Sequence, residues 1–275
     1  MRNPILLFFL INFVIAGAKP PKGFCEHPDG MYYQVFHLAK DSAHPVYGDY
    51  IYMHLVKQHP NEKEIFDTHM FNENGVELSL EKPKHLPDVT QVFLEMSAGD
   101  SAVVKIPASK IDSNGGDNNY YTYYLKLINF KSKEDYESEK SLTAASQRQK
   151  DDSLIADYLK NNSIENPLAD TSGVIIQKKQ TTTEPLLQKG DTIRMHYIGS
   201  LLNGSEFDNS LNRNQPLIFV AGKKQVIDGM DIGLQYFRRG EKGLIIIPSY
   251  LGYADKETGK IPPNSVLVFY VEFLP

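Results

Sequence analysis

The chain has no tryptophan and a single cysteine among its 275 residues. One cysteine excludes any internal disulfide, so the mature protein must be held by its apolar cores alone, and Cys25 reads as a stray free thiol. A basic excess is missing too: Lys plus Arg number 29 against 34 Asp plus Glu, a formal net charge of −5. That balance provides no positively charged face, so nucleic acid is excluded as an expected partner. A comfortable membrane span is also lacking. The run ILLFFLINFVIAGA at 5–18 is short for a bilayer, follows Arg2 and ends in Ala16-Gly17-Ala18. This is the pattern of a secretory signal peptide cut before Lys19, with an uncleaved membrane anchor as the alternative. Cys25 follows Gly23-Phe24 rather than the small residues a lipidation site needs. The expectation is an exported protein of the periplasm or cell envelope that meets membrane only through this segment. An endoplasmic-reticulum home has less support: Asn203-Gly204-Ser205 is a glycosylation sequon, but the sequence shows no C-terminal retention signal.

Glycine and proline are absent from 132–166. Ser132 with Asp135 fits a capping box, and Leu154, Ile155, Tyr158 and Leu159 gather on one helical face. The stretch predicts one long helix from about 133 to 160, roughly 40 Å in length. A flexible charged linker is the other reading.

What is present is a soluble globular composition, 41% hydrophobic and 23% charged, in a chain long enough for two domains with real cores. The 16 Tyr and 14 Phe could line an aromatic pocket as well as fill cores. The chain also repeats itself. GDYIYMH (48–54) and GDTIRMH (190–196) agree at five of seven positions. Phe66 to Gly99 and Phe207 to Gly240 are both 33 positions, and each glycine is followed by an acid and a β-rich run ending in Ile-Pro. Each half closes on an aromatic strand, 119–130 and 265–274. Matched spacing over such distances signals duplicated domains. The implied organisation is a signal peptide at 1–18, a first copy at 19–130, a helical linker at 131–166 and a second copy at 167–275.

In the second copy, strands are predicted at 173–180, 191–202, 216–222, 243–248 and 265–274, with a helix at 226–237. Alternation of Leu267, Phe269, Val271 and Phe273 buries one face of the last strand. Many antiparallel strands with one short helix give an α+β fold, a half-barrel sheet wrapped on that helix.

Residues 188–274 resemble the FKBP-type peptidyl-prolyl isomerase domain along its full length. The matching motifs are His196-Tyr197-Ile198-Gly199, Phe207-Asp208-Asn209-Ser210, Val226-Ile227-Asp228-Gly229, Gly252-Tyr253, and Ile261-Pro262-Pro263-Asn264 followed by Val268-Phe269. The plan of the whole chain looks like a bacterial envelope form of the family, with two FKBP-like half-barrels joined by a long helix. The resemblance implies an isomerase that speeds X–Pro exchange in exported proteins as they fold. Its partners would be unfolded or flexible proline-containing polypeptides, and it would use no cofactor or metal. A non-catalytic FKBP-like chaperone or scaffold is the alternative.

The resemblance also implies the site. Tyr197, Phe207, Asp208, Tyr253 and Phe269 would be catalytic, and Arg213, Leu217, Val226, Ile227, Met230 and Ile261 would bind substrate. Tyr253 and the Ile227 N–H would donate to a substrate carbonyl, and Tyr197 and Arg213 would satisfy Asp208. His196 is assigned to structure. Met230 stands where the family usually has tryptophan, Leu217 where it has an aromatic, and Ala254 where it has glycine. Macrolide inhibitors are therefore expected to bind weakly. In the first copy Leu55 stands in the place of Tyr197, Phe66-Asp67 remains, Val89 takes the position of Met230, His85-Leu86 that of Val226-Ile227, and no Gly-Tyr or Ile-Pro-Pro-Asn follows. That copy is expected to be catalytically silent.

Overall fold

The computed structural model describes residues 20–37, 43–60, 65–112, 116 and 119–275. The expected signal peptide lies outside them. By contacts the chain separates into two compact units, Met1–Glu139 and Lys140–Pro275. No described helix is long and apolar enough to cross a membrane.

The strands of the first unit are β1 (Cys25–Glu26), β2 (Tyr32–Phe36), β3 (Tyr50–Gln58), β4 (Ile65–Asp67), β5 (Val76–Ser79), β6 (Ser101–Pro107) and β7 (Tyr120–Lys131). They pair in the order β1-β2-β6-β7-β3-β4, with β5 also on β3, and every pairing is antiparallel. Alternate residues of β6, Ala102, Val104 and Ile106, face the core with Phe93, Met96 and Leu127. Between β5 and β6 lies a 3-10 helix, Val89–Glu95, started by Asp88 accepting from the Thr90 N–H. Its β-branched Val89, Thr90 and Val92 crowd an α-helical turn.

Helix α1 runs Lys133–Asn161, where the sequence predicts it. Its start is capped as expected: the Asp135 N–H donates to Ser132 Oγ at 3.1 Å, and the Ser132 hydroxyl to Asp135 at 2.6 Å. The contact division falls inside this helix rather than at its end. The reason is burial: Ile155, with Tyr158 and Leu159, covers Ile246 and Val268 of the second unit's sheet and Val266 just before its last strand. Leu154 is off that face and exposed.

The second unit contains β8 (Leu168–Ala169), β9 (Ile175–Gln180), β10 (Thr192–Leu201), β11 (Glu206–Asn209), β12 (Leu217–Val220), helix α2 (Asp228–Gly233), β13 (Lys242–Ile247) and β14 (Leu267–Phe273). The sheet order is β11-β10-β14-β13-β9-β8 with β12 on β10. Read from the other edge, this is the order of the first sheet strand for strand. The apolar run of β13 is explained by its two covered faces. Ile245 and Ile247 point into the main core with Phe237, Val271 and Phe273, while Ile246 lies under α1. In the first unit the corresponding run is Val103-Val104-Lys105-Ile106, and Lys105 faces away from the core, over the Phe24 and Tyr120 rings.

The predicted helix at 226–237 is observed as α2 followed by a 3-10 turn, Leu234–Tyr236. Its glycines have a packing reason. A Cβ on Gly229 would lie 2.2 Å from Ile247, and one on Gly233 would lie 2.6 Å from Ile245. The missing side chains let α2 sit directly on β13.

Candidate functional site

The site begins with a mismatch in the β10–β11 hairpin. Near the tip, the Asn203-Gly204 turn fixes Ser200 opposite Glu206, and the Leu201 N–H donates to Ser205. Further along, Ser210 Oγ accepts from the Tyr197 N–H at 2.7 Å and fixes Gly199 opposite Asp208. The two registers differ by one residue, and the strand expels it as a β-bulge at Phe207. Phe207 then packs edge-on against Phe269, with ring centroids 5.6 Å apart. It lies directly over Gly199, where a Cβ would come within 2.5 Å of its ring.

Next to the bulge, Asp208 accepts from the Tyr197 hydroxyl on one oxygen and from Arg213 on the other. Arg213 also reaches the Tyr197 oxygen at 3.2 Å. Burial alone would raise the Asp208 carboxyl's pKa, but the bonds from Arg213, Tyr197 and the Asn209 N–H together hold it below the ordinary carboxylate value. Burial, and then the Asp208 bond, push the Tyr197 phenol up. Asp208 is therefore an ionised, fully engaged wall group at neutral pH. His196 bonds Ser210 at 3.1 Å, the structural role its sequence position suggests.

Tyr197, Phe207, Asp208, Leu217, Val226, Ile227, Met230, Tyr253, Ile261 and Phe269 line one pocket of about 380 Å³. Met230 forms buried wall from α2, and Ile227 precedes that helix. Tyr253 enters from the turn after β13. Arg213, the remaining predicted residue, lines an adjoining surface depression rather than the pocket and acts on it through Asp208. Among the described residues no hydrogen bond occupies the Tyr253 hydroxyl or the Ile227 N–H, so both remain available to a ligand. The sequence reading missed Met195 and Gln225 as lining residues, as well as the rim Thr258-Gly259-Lys260. The rim closes through the Thr258–Ile261 bridge, which Gly259 makes possible at φ +57; Gly259 next to the Ile261 motif was the available signal.

The first unit departs from its sequence match. His54 and Thr68 repeat the His196–Ser210 arrangement, and Thr68 Oγ1 accepts from the Leu55 N–H at 2.9 Å. That anchor places Leu55 where Tyr197 sits. It also sets Val56 opposite Asp67 and Lys57 opposite Phe66, with no bulge between them. Phe66-Asp67 is therefore one residue out of register with Phe207-Asp208, although the dipeptides match in sequence. A one-residue slip changes the face each side chain occupies. Phe66 is 50% exposed, and Asp67 instead caps the turn after β4, accepting from the His69 N–H at 2.9 Å. Lys57 stands in the place of Gly199 and lies over the Tyr121 and Tyr123 rings. A wider cleft, about 650 Å³, remains among Leu78, His85, Val89, Ile106 and Tyr123.

Residues 184–274 match the family model of the FKBP-type peptidyl-prolyl cis-trans isomerases. A mouse relative, peptidyl-prolyl cis-trans isomerase FKBP2, is 50% identical over 88 residues, which are 32% of this chain and 63% of the mouse protein. A protein of Neisseria meningitidis, FK506-binding protein, is 44% identical over 103 residues, 37% of this chain and 94% of that relative. The crystal structure of FkpA from Escherichia coli is similar with a TM-score of 0.41 at 31% identity, over 52% of this chain and 68% of that one. With nearly the whole Neisseria protein covered at that identity, the chain belongs to the FKBP-type peptidyl-prolyl cis-trans isomerase family.

Proposed function

We propose that the pocket of the second unit catalyses cis–trans exchange of X–Pro bonds in flexible polypeptides, and that the chain does so on exported proteins as they fold. The observation that carries this reading is an aromatic cup holding two unoccupied donors, the Tyr253 hydroxyl and the Ile227 N–H, beside a rigidly bonded Asp208. Rotation about an amide costs about 18–20 kcal/mol because resonance is lost midway. At X–Pro bonds the uncatalysed exchange takes on the order of tens to hundreds of seconds, slow enough to limit folding. The planar amide is more polar than the twisted one. Phe207, Phe269 and Met230 provide an apolar wall that favours the twisted form, and the Tyr253 and Ile227 donors hold its carbonyl. Asp208 and Arg213 lock Tyr197 and keep the cup in shape; neither needs to transfer a proton.

The export assignment rests on the signal-peptide pattern at 1–18, and the periplasm or cell envelope fits it best. Macrolides are proposed as weak ligands, because Met230 and Leu217 narrow the aromatic contact. The shared strand order supports reading the first unit as an FKBP-like copy. Without the bulge it lacks the catalytic wall, and a non-catalytic role in holding client chains is proposed for it.

The test is a protease-coupled assay of a Xaa-Pro tetrapeptide with the full chain and with the double variant Phe207→Ala, Asp208→Ala. Most of the activity should disappear while circular dichroism stays unchanged. A folded double variant that keeps the parent rate would show that the pocket is wrongly assigned.

A further inference from the structure

Tyr253 is not held by a strand. After β13 the chain passes Pro248, a 3-10 turn at Ser249–Leu251 and Gly252 before reaching it. The turn winds around Ser249, whose carbonyl accepts from both the Gly252 and Ala254 N–H groups at 2.9 Å. What fixes Ser249 lies outside the pocket. Its N–H donates at 2.7 Å to Oδ2 of Asp151, a residue of α1. Asp151 is fully buried, and its other oxygen accepts from Gln147 at 2.8 Å. A carboxylate stripped of water is costly unless every bond it makes is well formed, and a bond from an N–H to a charged acceptor is among the stronger kinds. One helical turn before Asp151, the Arg148 guanidinium lies 4.7 Å from the ring centroid of Tyr250, the residue after Ser249. The Tyr250 hydroxyl donates to the Ser172 carbonyl at 2.7 Å, and a Cβ on neighbouring Gly173 would lie 2.4 Å from that hydroxyl. Helix α1 thus grips the turn at two consecutive residues. Nothing in the linker reading of this helix accounts for a buried acid.

We infer that Asp151, supported by Arg148, is a positioning residue that sets the Ser249–Ala254 turn and so fixes where the Tyr253 hydroxyl stands. This rests on reading the second pocket as an isomerase site, so the test has one arm that needs no activity. In the full chain, Asp151→Ala leaves the buried Ser249 N–H without its acceptor. Amide hydrogen exchange should then rise at least tenfold at Ser249, Gly252 and Ala254 while Ile245–Ile247 stay protected. If those turn amides keep their parent protection, the inference is overturned whether or not the protein is an isomerase.

The second arm is kinetic. Asp151→Ala should lower kcat/KM on a proline tetrapeptide about five- to tenfold. Asp151→Asn, which keeps an oxygen for the Ser249 N–H, should restore most of it. In a Tyr253→Phe background Asp151→Ala should cost less than twofold more, because the group it positions is gone. Equal losses in both backgrounds would make Asp151 merely structural and overturn the proposal. An inactive parent chain would overturn the reading of the pocket and leave the exchange arm to decide the positioning. If Asp151→Ala does not fold, Arg148→Met takes its place: it removes the cation from the Tyr250 ring while the Ser249 N–H keeps its acceptor. Exchange should then rise at Gly252 and Ala254, and kcat/KM should fall in the parent but not in the Tyr253→Phe background. Unchanged turn amides or equal losses in both backgrounds overturn the proposal.

Discussion

The two units share a strand order, and their pockets part at one hairpin. In the second, a tight turn and a distant serine impose registers one residue apart, and the excess residue becomes Phe207 in the pocket. In the first, Thr68 repeats the serine's bond but the pairing runs on unbroken to Gln58 and Ile65. Each unit closes over its own cluster of buried apolar residues. A functional wall on this fold is therefore set by hairpin geometry and by the absence of a side chain at Gly199, not by the quality of the core.

The sharpest way to break the comparison is to give the second unit the first unit's residue. Gly199→Lys should drive Phe207 out of the pocket. Since a displacement near 1 Å can cost on the order of 100-fold, kcat/KM on a proline peptide should fall at least that far, with the sheet intact by circular dichroism. Removing a single donor is milder. Tyr253→Phe should cost roughly tenfold, the worth of one hydrogen bond of about 1.5 kcal/mol, with little change in melting temperature. A truncated chain of residues 140–275 keeps the α1 packing on the second unit. It should match the full chain on a tetrapeptide, which is too short to engage both units, yet lag several-fold in refolding a proline-limited protein, because a second binding surface raises the local client concentration. Equal refolding rates would remove the client-holding role. Met230→Trp should tighten macrolide binding by about 1 kcal/mol, roughly fivefold, in a fluorescence titration.

The smallest expected effect is with pH. A carboxyl whose folded pKa is depressed stabilises the fold fully above its unfolded value, and that contribution is lost as pH falls through the folded one. Asp208, held below its reference of 3.8, should therefore leave activity flat from neutrality to about pH 5, with an acid limb below pH 4 that Asp208→Asn abolishes.

Much of this was legible in the sequence. Alternation exposed the last strand, and the family resemblance implied that Tyr197 and Arg213 would bond Asp208. The register of Phe66-Asp67 was not legible, because dipeptide identity and strand pairing follow different offsets. The match to Phe207-Asp208 holds at one spacing, whereas the His54–Thr68 anchor obeys another. Strands β8 and β11 are too short to show periodicity. Asp151 was hidden for a different reason: in a helix this rich in charge, one buried acid looks like all the exposed ones.

The Asn203-Gly204 tip lies in solvent, away from the pocket, yet its geometry decides whether Phe207 is expelled from the ladder. For an engineer this is a remote control. One residue added to the tip would let the hairpin pair without a fault and retract the aromatic. A binder that clasps the tip in an altered shape would draw Phe207 out of the pocket without entering it, and ligands of that kind need not resemble proline.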